Sequence, residues 1–403
     1  MSADLAPGDS VVVEVGAVAH GGHCVARHEG RVLFVRHGLP GETVRVEITQ
    51  VGRKGRFLRA DVVEVLAASP DRRPAPCPVA RSCGGCDWQH ATVAAARLLK
   101  EQVVREAMSR FAGIEVGQDF AVLPVADPDQ SEPATSPEGL GWRTRGTLSV
   151  DPTGAAGFLA HRSHTVVAGG QCPQLHPRLA PLDLFGRTWP IGTRVGFVAP
   201  SVGQPQAFDT AAPPGEPVAE LSGGRTWAVA ADGFWQVHPG AAQALVQQVR
   251  RLLAPEPGER LVDLYAGVGL FGLSLATGQA GDAPVTLIEG DRRACELARI
   301  NAGQQPATIV RANVERWAAR PGALQGADLV VLDPPRTGAG AVVTGAITAA
   351  RPRAVAYVAC DPVALARDVA TFAEGGYRLS ELVALDLFPT THHVECVALL
   401  QPE

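Results

Sequence analysis

The sequence predicts an α/β protein: a Rossmann-like, doubly wound C-terminal domain behind an OB-like β-barrel and a small α+β central domain. Three observations predict it. Residues 1–66 alternate apolar and polar positions between glycine turns, as in "SVVVEVGAVA" and "RVLFVRHGLPGETVRVEITQV", the pattern of short strands with one buried face. From about residue 236 apolar strand-like runs alternate with helical stretches, which implies a largely parallel sheet covered by helices. Within that region "LVDLYAGVGLFGLSLA" reads as strand, tight glycine turn and helix, the unit that opens such a sheet.

In chain order, the barrel occupies 1–66. Its segment "VGRKGRFLRA" holds four basic residues and no acid, so Arg53, Lys54 and Arg56 form either a solvated hairpin or a patch for an RNA backbone. The central domain, 67–235, opens on a Pro- and Cys-rich stretch. Residues 91–112 have helical spacing that sets Val93, Leu98, Val103, Val104 and Phe111 on one broad apolar side. A polar loop follows at 127–139, then short strand-like runs between Gly/Pro-rich linkers. In "GWRTRGTLSV" Arg143 and Arg145 stand two apart on a strand and share a face. They are read as phosphate contacts, with Arg162 and His164 nearby. The third domain, 236–403, begins with the helical "GAAQALVQQVRRLLA" and continues through the strand-like "VTLIEG", "ATIVRAN", "ADLVVLDPP", "AVAYVAC" and "ECVALLQ". Ligands of such sheets bind at the carboxyl ends of the strands.

Composition narrows the function classes. At 403 residues, 46% hydrophobic and 19% charged, the chain is expected to be a soluble protein of two or three domains. No run of about 18 apolar residues is present, and the acid-bearing N-terminus lacks the order of a secretory signal. A cytoplasmic, membrane-free protein is expected. The net charge of −5 gives no global argument for nucleic acid, so any RNA surface must be local. Cys77, Cys83 and Cys86 fall within ten residues, and with Cys172 they supply four thiolates. Four sulfurs suit zinc or an iron–sulfur cluster, and spacing alone does not separate them. Cys24, Cys295 and Cys396 have no evident partner set and are read as packing residues; strand alternation turns Cys396 away from its neighbour Glu395.

Gly267, Gly269 and Gly272 satisfy G-x-G-x-x-G, and Glu289 ends the next strand, where an acid accepts from ribose hydroxyls. Alone, this fits NAD or S-adenosyl-L-methionine. Three features favour the methyl donor. Asp263 precedes the glycines, where its charge suits a cationic ligand and repels a pyrophosphate. Asp333-Pro334-Pro335 ends the fourth strand. Cys360 and Glu395 end later strands, so both are expected to face the same pocket. Together they match one chemistry. Carbon 5 of uracil is a poor nucleophile until a thiolate adds at carbon 6; carbon 5 then takes a methyl group, and a base removes its proton. Cys360 and Glu395 supply nucleophile and base. An NAD-dependent oxidoreductase and a non-catalytic RNA-binding protein are the rival readings.

The order "CPVARSCGGCDWQH", "GFWQVHPGAAQALV", "DLYAGVGLFG", "LDPPRTG", "YVACDPVALARD" and "DLFPTTHHVECVALL" resembles the uridine-5 RNA methyltransferases. These are class I enzymes that make 5-methyluridine in transfer and ribosomal RNA. The resemblance covers nearly the whole chain and includes a TRAM-like barrel at 1–66. It implies that Cys360 is the nucleophile and Glu395 the base. It places Gln236 near donor and target base, and Tyr265, Glu289, Asp333, Gly267 and, more weakly, Asn313 at the S-adenosyl-L-methionine site. It also implies a [4Fe–4S] cluster on Cys77, Cys83, Cys86 and Cys172, with zinc as the alternative, and ribosomal RNA as the favoured substrate over transfer RNA. Two positions depart from the family pattern: His238 and Leu270 stand where many members have Asn.

Overall fold

The computed structural model describes residues 5–126, 138–276 and 284–403; most of the polar loop expected at 127–139 lies outside them. Strands Ser10–Ala19, His23–His28, Arg31–Arg36, Thr43–Val51 and Phe57–Ala67 close into a five-stranded barrel. The closure comes from a parallel pairing of Arg31–Arg36 with Phe57–Ala67. Alternate residues such as Val13, Val15, Leu33, Val35 and Leu58 fill its interior, as the apolar alternation dictates.

The helix expected at 91–112 runs Val93–Ala107 and continues as one wider, π-type turn through Met108–Ala112. Thr92 caps it by accepting a hydrogen bond from the Ala95 amide. Its buried face differs from the expected one: Leu98 is exposed, and Ala95, Ala96, Leu99, Val103, Val104 and Ala107 are buried. The small alanines allow close approach on two sides. Ala96, Leu99 and Val103 join the barrel core, whereas Val104, Ala107 and Met108 join a core of the C-terminal domain.

Central residues form a five-stranded antiparallel sheet in the order Gln206–Asp209, Arg194–Val198, Arg145–Val150, Ala156–Leu159, Val166–Val167. A separate hairpin pairs Val218–Ser222 with Arg225–Val229.

The C-terminal sheet has seven strands from one region: β1 (Leu261–Leu264), β2 (Val285–Glu289), β3 (Ala307–Arg311), β4 (Leu329–Leu332), β5 (Ala354–Ala359), β6 (Tyr377–Asp386) and β7 (Glu395–Pro402). Their order is β3-β2-β1-β4-β5-β7-β6, and strand Val122–Pro124 adds an eighth at the β6 edge. Strands β1 to β5 are parallel; β7 runs antiparallel to both β5 and β6. β1, β4 and β5 are buried on both faces, which is why they read as continuous apolar runs. The Rossmann-like class expected from the sequence is therefore present, with the barrel ahead of it. β6 and the Val122–Pro124 strand were not among the expected strands. β6 is half exposed over its first six residues and lacks a clear apolar run there. No helix among the described residues is long and apolar enough to cross a membrane.

Candidate active site

The site lies at the carboxyl ends of β1, β2, β4 and β5, where the strand order reverses. Immediately after β1 the chain turns through Tyr265, whose φ is +62°, a backbone conformation costly for a bulky side chain and typical of functional turns. Gly272 is required by packing: a Cβ there would lie 2.4 Å from a Leu287 methyl carbon. The Glu289 carboxylate accepts from one amide of this turn, Gly267 N at 2.8 Å, and from Asp291 N just beyond β2 at 2.7 Å.

Cys360 follows β5, whereas Glu395 opens β7 and does not end a strand as expected; because β7 runs antiparallel to β5, its first residue still lies at the carboxyl end of the parallel strands. Ala359 is paired with Cys396 across these antiparallel strands, so the next rung brings Cys360 opposite Glu395. Glu395 is only 3% exposed, and Cys396, facing the other way, is sealed in the core. Both Cys360 and Glu395 line a cleft of about 790 Å³ together with Gln236, Tyr265, Gly267, Glu289 and Asp333. Seven of the residues expected from the sequence therefore share one cavity.

Its electrostatics are those of buried acids close together. Burial pushes the Asp333 carboxyl up to about 7. Burial and the neighbouring Asp333 charge push Glu395 well above the usual carboxylate range, against the opposing pull of Arg336. The Cys360 thiol is raised to about 11 by burial, then by Glu395 and Asp333, while Arg336 again acts in the opposite sense. Burial and mutual proximity thus disfavour the charged forms of all three groups in the unliganded site, and Arg336 opposes that shift at Cys360 and Glu395.

Several expected residues are elsewhere. Asp263 does not line the cleft; it is fully buried behind it, with one oxygen accepting from Gly272 N at 2.7 Å and the other without a hydrogen-bond partner among the described residues. Burial raises it to about 8, so in the unliganded site its negative charge is disfavoured, where a fixed charge is expected from the sequence. Asn313 is exposed and caps the helix Val314–Ala318, accepting from Arg316 N at 2.9 Å; it does not line the cleft. Arg145 is buried and bonds Glu220 at 2.6 Å and the Gly233 carbonyl at 2.9 Å, so its charge is spent inside and is not placed to meet a phosphate. Arg143 lies before the strand, not on it, and its guanidinium stacks 4.8 Å from the Trp142 ring centre. Arg53 and Arg56 are exposed around a short 3₁₀ turn, as are Arg162 and His164; the Lys54 side chain lies outside the described residues. His238 is buried and accepts from Gly240 N at 3.1 Å. Leu270 packs into the core.

Cys77, Cys83 and Cys86 are buried, Cys172 is half-buried, and none forms a disulfide. Burial raises the thiols of Cys83, Cys86 and Cys172, the last to about 11, and neighbouring thiols of the set add to each shift. Gln89 Nε2 donates to Cys86 Sγ at 2.9 Å and Gly85 N to Cys83 Sγ at 3.3 Å. Among the described residues no group of three or more His, Cys, Asp or Glu is placed to hold a single metal ion.

The cleft also contains residues that the sequence reading passed over. Arg336 follows Asp333-Pro334-Pro335 directly, and Phe234, which is 76% exposed, stands on the wall two residues before Gln236. Both sit inside motifs already singled out, so adjacency was the available signal.

Comparison with known proteins agrees with this geometry. Residues 6–63 match the TRAM domain, and residues 324–403 match the tRNA (Uracil-5-)-methyltransferase family. An RNA methyltransferase of Streptomyces avermitilis is 43% identical, covering 98% of this chain and 99% of the relative. One of Corynebacterium efficiens is 37% identical over 98% and 95%. In fold, the chain is similar to the Pyrococcus abyssi tRNA (uracil-54, C5)-methyltransferase solved with S-adenosyl-L-homocysteine. The TM-score is 0.67 at 23% identity, covering 96% of this chain and 99% of that one. A thiol and a buried acid facing one cleft beneath a glycine turn, on a chain of which such relatives cover 98%, lead to one assignment: this protein, with its own TRAM domain at residues 6–63, belongs to the RNA (uracil-5-)-methyltransferase family.

Proposed function

We propose that the protein methylates carbon 5 of a uridine in RNA, using S-adenosyl-L-methionine and a transient bond between Cys360 and carbon 6 of the base. The observation that carries this reading is the shared cleft of Cys360, Glu395 and Asp333 at the strand ends. The donor, when bound, supplies an electrophilic methyl group. Glu289, already fixed by two backbone amides, offers a carboxylate to ribose hydroxyls. Cys360 gives its proton to solvent before the Sγ–C6 bond forms, leaving Glu395 ionised for the later step, and Arg336 is the cation that favours the thiolate. The ring electrons move to carbon 5, which takes the methyl group. Glu395 then accepts the carbon 5 proton, and the Sγ–C6 bond breaks to restore the pyrimidine. A carboxylate whose pKa is raised by burial is a stronger base once ionised.

The test uses 5-fluorouridine-containing RNA with the donor. Fluorine does not leave as a cation, so the adduct persists, and its peptide is expected to be 357–368. An adduct mapping elsewhere, or none with any cellular RNA, overturns the reading.

Ribosomal RNA is the substrate we favour, by the resemblance of the Cys-bearing segment and barrel. Methylation of purified, unmodified ribosomal and transfer RNA decides between them; transfer of methyl only to transfer RNA reverses the choice. We also propose that Cys77, Cys83, Cys86 and Cys172 hold a [4Fe–4S] cluster. Supporting it are the thiols of Cys83, Cys86 and Cys172, each raised in part by other cysteines of the set, two N–H donors to sulfur, and the buried Arg143 guanidinium, which Cys172, Cys86 and Cys83 influence electrostatically. A cubane occupies more room than one ion, so its ligands need not converge as zinc ligands do. Iron and sulfide content after anaerobic purification tests it, and stoichiometric zinc in their place excludes it.

A further inference from the structure

The loop that delivers Glu395 is gripped from outside its own domain. Thr390, five residues before Glu395, holds a left-handed backbone with φ +64°, which a β-branched residue adopts only when its surroundings force it. The Thr390 carbonyl accepts from Asp87 N at 3.1 Å and from Trp88 N at 2.9 Å. Its hydroxyl accepts from Gln174 Nε2 at 2.9 Å. Asp87 reaches back with its carboxylate, accepting from the His392 amide at 3.0 Å and meeting His392 Nδ1 at 2.7 Å. The far side of this segment is pinned to the barrel. Trp88 Nε1 donates to the Gly22 carbonyl at 3.2 Å, and a Cβ at Gly22 would lie 2.8 Å from the Asp87 carboxyl carbon. Asp87 directly follows Cys86, and Gln174 lies two residues after Cys172.

We propose that Asp87 is a positioning residue for the proton-abstracting Glu395, acting through His392 and Thr390. The cysteine-bearing segment thereby sets the geometry of the last chemical step and not of the first. Cys360 is held differently: its neighbour Asp361 caps the following helix through the Val363 and Ala364 amides and meets His20 of the barrel at 3.0 Å. Among the described residues the two anchors meet only where His20 lies edge-on to His392, ring centres 6.4 Å apart, so loosening the Asp87 grip is expected to displace the carboxylate more than the thiol. This proposal rests on the reaction assigned above, in which bond formation by Cys360 and proton removal by Glu395 are separate events.

The experiment compares Asp87→Ala with Asp87→Asn, which keeps an oxygen acceptor for the His392 amide. Hydrogen exchange is expected to show lost protection in 389–395 of the alanine variant and unchanged protection in 354–360. With ordinary substrate RNA, turnover should fall about tenfold or more while the KM for the donor stays within about twofold. A denaturation-resistant protein–RNA adduct should accumulate, because methylated base stays bonded to Cys360 until its proton leaves. Asp87→Asn should recover most of both properties. Unchanged exchange in 389–395 overturns the proposal. So does a parallel fall of adduct formation and turnover, the mark of a merely destabilised fold. If the wild-type enzyme itself traps no 5-fluorouridine RNA, the reaction assignment has failed, and the exchange result still decides whether Asp87 holds the loop.

Discussion

Lys100 and Asp386 lie 2.6 Å apart with the lysine fully buried, and the same ammonium donates to the Phe388 carbonyl at 3.0 Å. The pair ties helix Val93–Ala107 to the end of β6 and so to the loop that leads into the active site. Removing one partner of a buried pair strands the other charge, at a cost of about 3–5 kcal/mol. Lys100→Met is expected to cost that much in urea unfolding. The double variant Lys100→Met/Asp386→Leu should recover most of the loss, since neither charge is then left alone. A single variant as stable as wild type would show that the pair bears no load.

Cys360 and Glu395 should separate in their effects. Cys360→Ala is expected to lower turnover by at least about a thousandfold with donor binding retained, and to form no adduct. Glu395→Gln should also lose turnover yet still bond the RNA, because the nucleophile is intact. Gel shifts under denaturing conditions read both results. An adduct with Cys360→Ala would place the nucleophile elsewhere.

Arg336 opposes the burial and the acidic neighbours that raise the Cys360 thiol to about 11. Replacing it with leucine removes the cation that favours the Cys360 thiolate and moves the thiol further up. Alkylation of Cys360 in the free enzyme at pH 9 is therefore expected to slow by at least about twofold in Arg336→Leu, since thiolate fraction controls the rate. Faster alkylation would mean that the guanidinium shields the thiol rather than ionising it.

Asp263 gives a stability signature. Its carboxyl is raised from the ordinary 3.8 to about 8, so the folded state binds a proton that the unfolded chain releases between about pH 4 and pH 8. Stability from this group is complete below that window and is lost as pH rises through it. Asp263→Asn keeps an oxygen for the Gly272 amide and removes the titration. The unliganded variant should be more stable than wild type at pH 8, by at least about 2 °C in Tm, and show no such gain at pH 4. Equal shifts at both values would point to packing instead of protonation.

The parts of the site that were legible in the sequence are local. The glycine turn, Asp333-Pro334-Pro335 and Cys360 each follow an apolar run, and Glu395 opens one that runs antiparallel to them, so all four converge at one end of the sheet. What was misread depends on distant partners. Arg145 looked like a surface cation because its acid, Glu220, comes 75 residues later. Leu98 fits the helical apolar stripe, yet the two cores that meet this helix choose the alanine-rich sides and leave it to solvent. Asn313 differs in kind: it lies outside the cleft lining, and its Oδ1 serves the local helix cap on Arg316 N. β6 escaped notice because its exposed half hides the alternation that would have marked it.

Helix Val93–Ala107 presents Ala96, Leu99 and Val103 to the barrel interior while Val104, Ala107 and Met108 fill the catalytic core. A rod embedded in two oil drops welds them: neither can melt alone without wetting the other's apolar surface. The barrel is thus no detachable handle. Cutting it away should yield an aggregation-prone remnant, and heating the intact chain should give one concerted transition spanning both ends.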